Sequence, residues 1–119
     1  MAQVKEQRED IKAFTLNGVR HEVSSGRDAL VTLCELLAGN DPKLFEQWVP
    51  ALVTYGKDKR WFSSSREGMH APRQIKGTTL WVDANQNTRT IKKICEDVAK
   101  VFGIARSQLS FETRKTSRV

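Results

Sequence analysis

The pair Asn17-Gly18, set inside AFTLNGVRHEV, restricts the start of this chain more than any other feature. A two-residue hairpin turn needs positive φ at both central positions, which Asn and Gly tolerate and bulky residues do not. The flanking residues alternate, so Phe14, Leu16, Val19, His21 and Val23 share one face of the expected hairpin, and that face is expected to be buried.

Helical spacing takes over after the hairpin. Ser25 is a cap, Asp28 completes a capping-box pattern, and Leu30, Leu33, Cys34 and Leu37 form an apolar stripe before Gly39 ends the helix. Asp41-Pro42 opens a second helix with Phe45, Trp48, Val49 and Leu52 on its stripe. Pro50 predicts a kink or an end near Val49, because proline lacks a donor and disfavours helical geometry in the residue before it.

TTLWVDA, residues 78 to 84, reads as a strand with Leu80 and Val82 on one face and Trp81 on the other. Asn87 or Thr88 caps the clearest helix, in which Ile91, Ile94, Cys95, Val98 and Phe102 recur at helical spacing until Gly103 stops it. LSFET is the last strand. The order predicts an α+β fold, a small mixed sheet made of the N-terminal hairpin and two later strands, packed against about three helices. The expected organisation is an extension over 1–10, one domain over 11–113, and a basic tail over 114–119.

Several classes are excluded by pattern. With 119 residues and 39% hydrophobic content, the chain can bury one core. No stretch approaches the apolar length of a membrane span, and MAQVKEQRED carries both charge signs without the apolar segment of a secretory signal. Cys34 and Cys95 lie in apolar periodic segments with no nearby Cys or His at a metal-ligand spacing, so they are expected as buried reduced thiols of a cytoplasmic protein.

The net charge of +6 is unevenly spread. Residues 1–24 are balanced and residues 25–54 are acidic, whereas YGKDKRWFSSSREGMHAPRQIKG, residues 55–77, holds six Lys or Arg against two acids. The last seven residues add Arg114, Lys115 and Arg118 with no acid. The polar face of the helix near 88–102 carries Arg89, Lys92, Lys93 and Lys100. Phosphate backbones attract such clusters by counterion release, and Trp61 is placed either to stack on a base or to anchor its segment.

Catalytic patterns are weak by comparison. His21 sits on the hairpin's inward face, and FSSSREGMH offers a Ser run before His70 without a nucleophile elbow or an orienting acid. Asp83 and Glu112 end two strands in a loose imitation of a metal-dependent nuclease, and Asp83 reads more simply as a turn former. Tyr55, Arg60, His70 and Arg73 are residue types that a metal-free ribonuclease would use. No phosphate-binding glycine motif is present, so no nucleotide cofactor is implied. The expectation is a binder, without catalytic residues, metal or other cofactor.

The order of motifs resembles a small bacterial α/β module found at the C-terminal end of multidomain proteins, including ones associated with nuclease and DNA-restriction functions. The resemblance covers roughly residues 13–104 and rests on the hairpin, Leu33-Cys34-Glu35-Leu36-Leu37, Lys59-Arg60-Trp61-Phe62-Ser63, Pro72, Ile75-Lys76-Gly77-Thr78 and the Asn-containing cap. The pattern usually has an aromatic near the start of the first helix, where this chain has Gly26. The resemblance implies an accessory module that recognises or positions nucleic acid for another activity, with a link to bacterial restriction or genome defence and a nuclease or other subunit as partner.

Charge and resemblance together lead to a non-catalytic nucleic-acid-binding module, DNA ahead of RNA. The expected contacts are Lys57, Lys59, Arg60, Trp61, Arg66, His70, Arg73 and Lys76 in the basic segment, Arg89, Lys92 and Lys93 on the helix, and Arg114 and Lys115 in the tail. The alternatives are a protein-interaction module docking through Trp48, Trp81 and Tyr55, and a small metal-free ribonuclease.

Overall fold

A computed structural model describes residues 7–52 and 61–117 of the chain. Strand β1 (Gln7–Leu16) turns through Asn17 and Gly18, at φ 50° and 85°, into β2 (Val19–Glu22). Helices α1 (Gly26–Asn40) and α2 (Pro42–Trp48) follow, then a 3-10 turn at Val49–Ala51, short strands β3 (Phe62–Ser63), β4 (Pro72–Gln74) and β5 (Trp81–Asp83), helix α3 (Thr88–Val101), and β6 (Leu109–Ser117).

The fold is α+β, but its strands form two antiparallel sheets instead of the single mixed sheet expected. The first has the order β2-β1-β6 and the second β3-β5-β4. In the first, β1 begins inside the stretch read as an extension and β6 continues through the stretch read as a tail, with Gln7 opposite Ser117. The ladder breaks register between Ile11 and Ala13, leaving Lys12 as an extra residue on β1.

Phe14 and Leu16 are buried as the alternation requires, and Phe14 stacks on His21 at 4.9 Å. Val19, on the same face, is 56% exposed, because β2 is a short edge strand. The expectation of a wholly buried hairpin face is corrected there.

Local chemistry sets the helix ends. The Ser25 hydroxyl accepts from the Asp28 amide, and the Asp28 carboxylate accepts from the amide of Ser24, one residue before the cap. Gly39 does not end α1, which runs to Asn40; Asp41 ends it and also caps α2 by accepting from the Leu44 amide. Pro42 explains the break, since it pushes Asp41 out of the helical region, to φ −153°. Helix α2 stops at Trp48, as Pro50 requires, and Gly103 at φ 75° terminates α3.

The core is continuous between both sheets and the helices. Leu30, Leu33, Cys34 and Leu37 of α1 meet Ile91, Ile94, Cys95 and Val98 of α3, all buried. Phe45 of α2 packs edge-on against Phe62 of β3 at 6.0 Å. Burial pushes both cysteine thiols well up from their ordinary pKa. No described helix is long and apolar enough to cross a membrane.

Candidate nucleic-acid interface

Two helices begin side by side. A Cβ on Gly26, the first residue of α1, would stand 3.1 Å from Cδ1 of Ile91 in the first turn of α3. Strand β1 ties the two ends together: Asp10 Oδ1 accepts from the amides of Ile11 and Gly26, and the Thr88 hydroxyl donates to the Glu9 carbonyl. The amide-bearing end of each helix therefore opens on one cleft of about 760 Å³. Arg27, Asn85, Asn87 and Arg89 line it, together with the acids Glu9 and Asp10.

The loop entering α3 supplies Asn85 and Asn87 at its rim. Asn87 caps the helix by accepting from the Thr90 amide, and Arg27 donates to Oδ1 of the exposed Asn85 at 3.2 Å. One turn along α3, Arg89, Lys92 and Lys93 line a second cleft of about 420 Å³ with Arg106. Glu9 and Glu96 also line it, and Lys93 pairs with Asp97 at 3.2 Å, so the face is cationic but not uniformly so.

The expected contact residues divide between several places. Arg89, Lys92 and Lys93 come together as the helical spacing implied. Arg114 is not among the residues lining either cleft; it donates to the Ser24 carbonyl, 2.9 Å, immediately before the α1 cap. It sits in strand β6 opposite Asp10, in the stretch expected to be a tail. The exposed His70 has its backbone amide on the Asp83 carboxylate, which places it beside the Asn85 loop.

Arg66 lies over the half-buried Trp81, 5.5 Å from the ring centroid, and Arg73 is exposed on β4 opposite Val82. Lys76 is remote from the cleft. Its amide is held by Glu35, nine residues along α1 from Gly26 and so about 13 Å from that helix end.

Trp61 is corrected: it is 3% exposed and anchors its segment, so it presents no ring for stacking. Its carbonyl accepts from the Asp83 amide, which draws the indole into the core beside β5. Tyr55, Lys57, Lys59 and Arg60 lie outside the described residues, and Lys115 is placed only by its backbone, opposite Glu9.

The residues that charge reasoning missed are Arg27, Asn85 and Asn87. A run of amides between a strand and a helix cap, DANQNTR, was their signal.

The alternative chemistries gain no geometry. Asp83 and Glu112 belong to different sheets, and Glu112 is taken up by Arg20. Among the described residues no group of three or more His, Cys, Asp or Glu is arranged to hold a metal ion.

No family model matches the chain, and no solved structure matches it. It is 31% identical, over 77 residues and 60% of its length, to the negative modulator of initiation of replication of Ferrimonas balearica. The match covers 41% of that protein, so the chain spans less than half the length of this relative.

Proposed function

We propose that this chain is a DNA-binding accessory module that grips duplex DNA at the cleft between the starts of α1 and α3. The observation that carries the reading is the composition of that rim: exposed amides at Asn85 and Asn87, flanked by Arg27 and Arg89, with Lys92 on the following turn. Cations fit phosphate oxygens, while the side-chain amides of Asn85 and Asn87, whose oxygens accept from Arg27 and from the Thr90 amide, have amino groups to donate to acceptors on base edges. Similarity to a modulator of replication initiation, an event on DNA, supports the same direction.

Duplex is favoured over single strands because, among the described residues, no aromatic side chain lines either cleft. Trp61 and Phe62 are buried, and Trp81 is covered by Arg66. Single-strand binders instead hold out open rings for stacking. Action beside a nuclease or another subunit, in restriction or genome defence, is the extension of this reading that the resemblance supports.

The test is fluorescence anisotropy of labelled duplex DNA, single-stranded DNA and RNA of equal length across a salt series. The expected result is preference for duplex with a steep loss of affinity as salt rises. Arg89→Glu with Lys92→Glu lowers affinity across sequences and flattens the salt slope by about 1 for each lost phosphate contact. Lys76→Ala, remote from the cleft, leaves both unchanged. Equal, salt-insensitive binding of all three probes overturns the reading, and the exposed Trp48 then becomes the place to look for a protein partner.

A further inference from the structure

Among the described residues Asp83 is the charged side chain that the fold buries, at 2% exposure. Its Oδ1 accepts from the amides of Ala71 and Asn85, each at 3.1 Å, and its Oδ2 from the amide of His70 at 3.3 Å. The Asp83 carbonyl accepts from Nε2 of Gln86, also at 3.1 Å. One residue thus binds the end of the basic segment, strand β5 and the loop that leads to Asn87.

Pro72 lies opposite Asp83 in the β4–β5 ladder at a position that needs no amide, since the Asp83 amide donates to the Trp61 carbonyl on the β3 side. Just before Pro72 the Asp83 carboxylate gathers two amides from the side, that of His70 on Oδ2 and that of Ala71 on Oδ1. The same oxygen then fixes Asn85, whose own amide oxygen is held by Arg27. A buried carboxylate is costly unless its hydrogen bonds are made, so the loop is fixed by a group that resists losing them.

We propose that Asp83 is a positioning residue for base discrimination: it sets Asn85 and Asn87 at the mouth of the cleft and governs which duplex sequences are preferred, without touching DNA. The inference rests on the DNA-binding reading of the cleft. The cations of α3 supply affinity that is blind to sequence, whereas the amide loop supplies selectivity, so the two are separable by mutation.

The experiment uses the full chain as wild type, Asp83→Ala and Asp83→Asn. Amide exchange in the free protein is read by NMR. Binding is read with two probes, a mixed-sequence duplex and a duplex pool with a randomised centre carried through rounds of selection. In Asp83→Ala the amides of His70, Ala71 and Asn85 lose protection. Enrichment of preferred sequences falls about tenfold, the scale of one lost base contact. Affinity for the mixed-sequence duplex and its salt slope stay within about twofold of wild type.

Asp83→Asn retains an oxygen in place of Oδ1 but presents an amino group to the His70 amide. It is expected to keep Asn85 protected, release His70 and preserve most of the enrichment. It also keeps the inference testable if the alanine variant does not fold. Unchanged enrichment in Asp83→Ala, or an equal loss of enrichment and mixed-sequence affinity, overturns the positioning role. Unchanged protection of the three amides overturns it without reference to DNA. Failure of the wild type to bind any duplex overturns the DNA reading itself, an outcome distinct from the others.

Discussion

Arg20 on β2 reaches across β1 and holds both carboxylate oxygens of Glu112 on β6, Nε to Oε2 at 2.7 Å and Nη2 to Oε1 at 3.1 Å. A third hydrogen bond, from Nη1 to Glu22 at 2.8 Å, completes the group. Ala13 lies between Glu22 and Glu112 in the ladder, and its small side chain is fully covered although it is on the face away from Phe14. The bidentate fork joins the two edge strands of the first sheet over the middle one.

This pair makes stability depend on acid. Hydrogen bonding to Arg20 holds the Glu112 carboxyl below its ordinary value. A lowered folded-state pKa gives stability that is present above the unfolded value and lost as pH falls through the folded one. Urea unfolding should therefore separate wild type from Glu112→Gln at pH 7 and bring their midpoints together in strong acid. The difference is small, because both side chains are more than a third exposed, and high salt should narrow it.

A much larger loss is expected in the core. Phe45 is fully buried, and its ring stands 6.0 Å from Phe62 and 6.3 Å from Phe102, so it joins α2 to the second sheet and to the end of α3. Phe45→Ala should cost about 3–5 kcal/mol in chemical denaturation, the range for removing a buried aromatic ring.

Gly26 tests the contact between the two helix starts. An added Cβ would be 3.1 Å from Ile91 Cδ1 and 3.3 Å from Asp10 Oδ1. Gly26→Phe, which restores the aromatic seen at that place in the resembling module, should force the helix ends apart. The expected loss is about 1–3 kcal/mol or more by thermal or urea unfolding. Ile91→Ala made alongside it should recover part of that loss.

Both cysteines should be silent in the native state. Cys34 and Cys95 are fully buried and their thiols are pushed up, so the reactive thiolate is scarce as well as inaccessible. A chromogenic disulfide reagent at pH 8 should detect neither thiol in the folded protein and both after addition of guanidinium.

The parts of the fold that were legible in the sequence are those set by neighbours along the chain. The Asn17-Gly18 turn, the Ser25 and Asn87 caps, the Pro50 stop and the apolar face of α3 each depend on residues within a few positions of one another. The polar ends of the first sheet were not legible. Glu9, Asp10, Arg114 and Lys115 lack an apolar alternation, and only their mutual pairing makes them strand.

The site followed the same division. Helical spacing gathered Arg89, Lys92 and Lys93, but it could not show that Trp61, written among cations, turns inward. Nor could it show that Asp83 turns Asn85 into part of a rim; as a turn former it was correctly read, yet the amides it binds at positions 70 and 71 are distant in sequence.

The pairing of Gln7 with Ser117 also fixes when this protein can finish folding. During synthesis β1 and β2 emerge early, but β6 follows about 100 residues later, a delay of roughly 5–20 s at ordinary translation rates. For that interval one edge of β1 has no partner strand, and Phe14 and Leu16 await the helices that cover them. The α1 and α2 segments, made of local contacts, can form in the meantime, whereas the first sheet closes only once the residues through Ser117 have emerged.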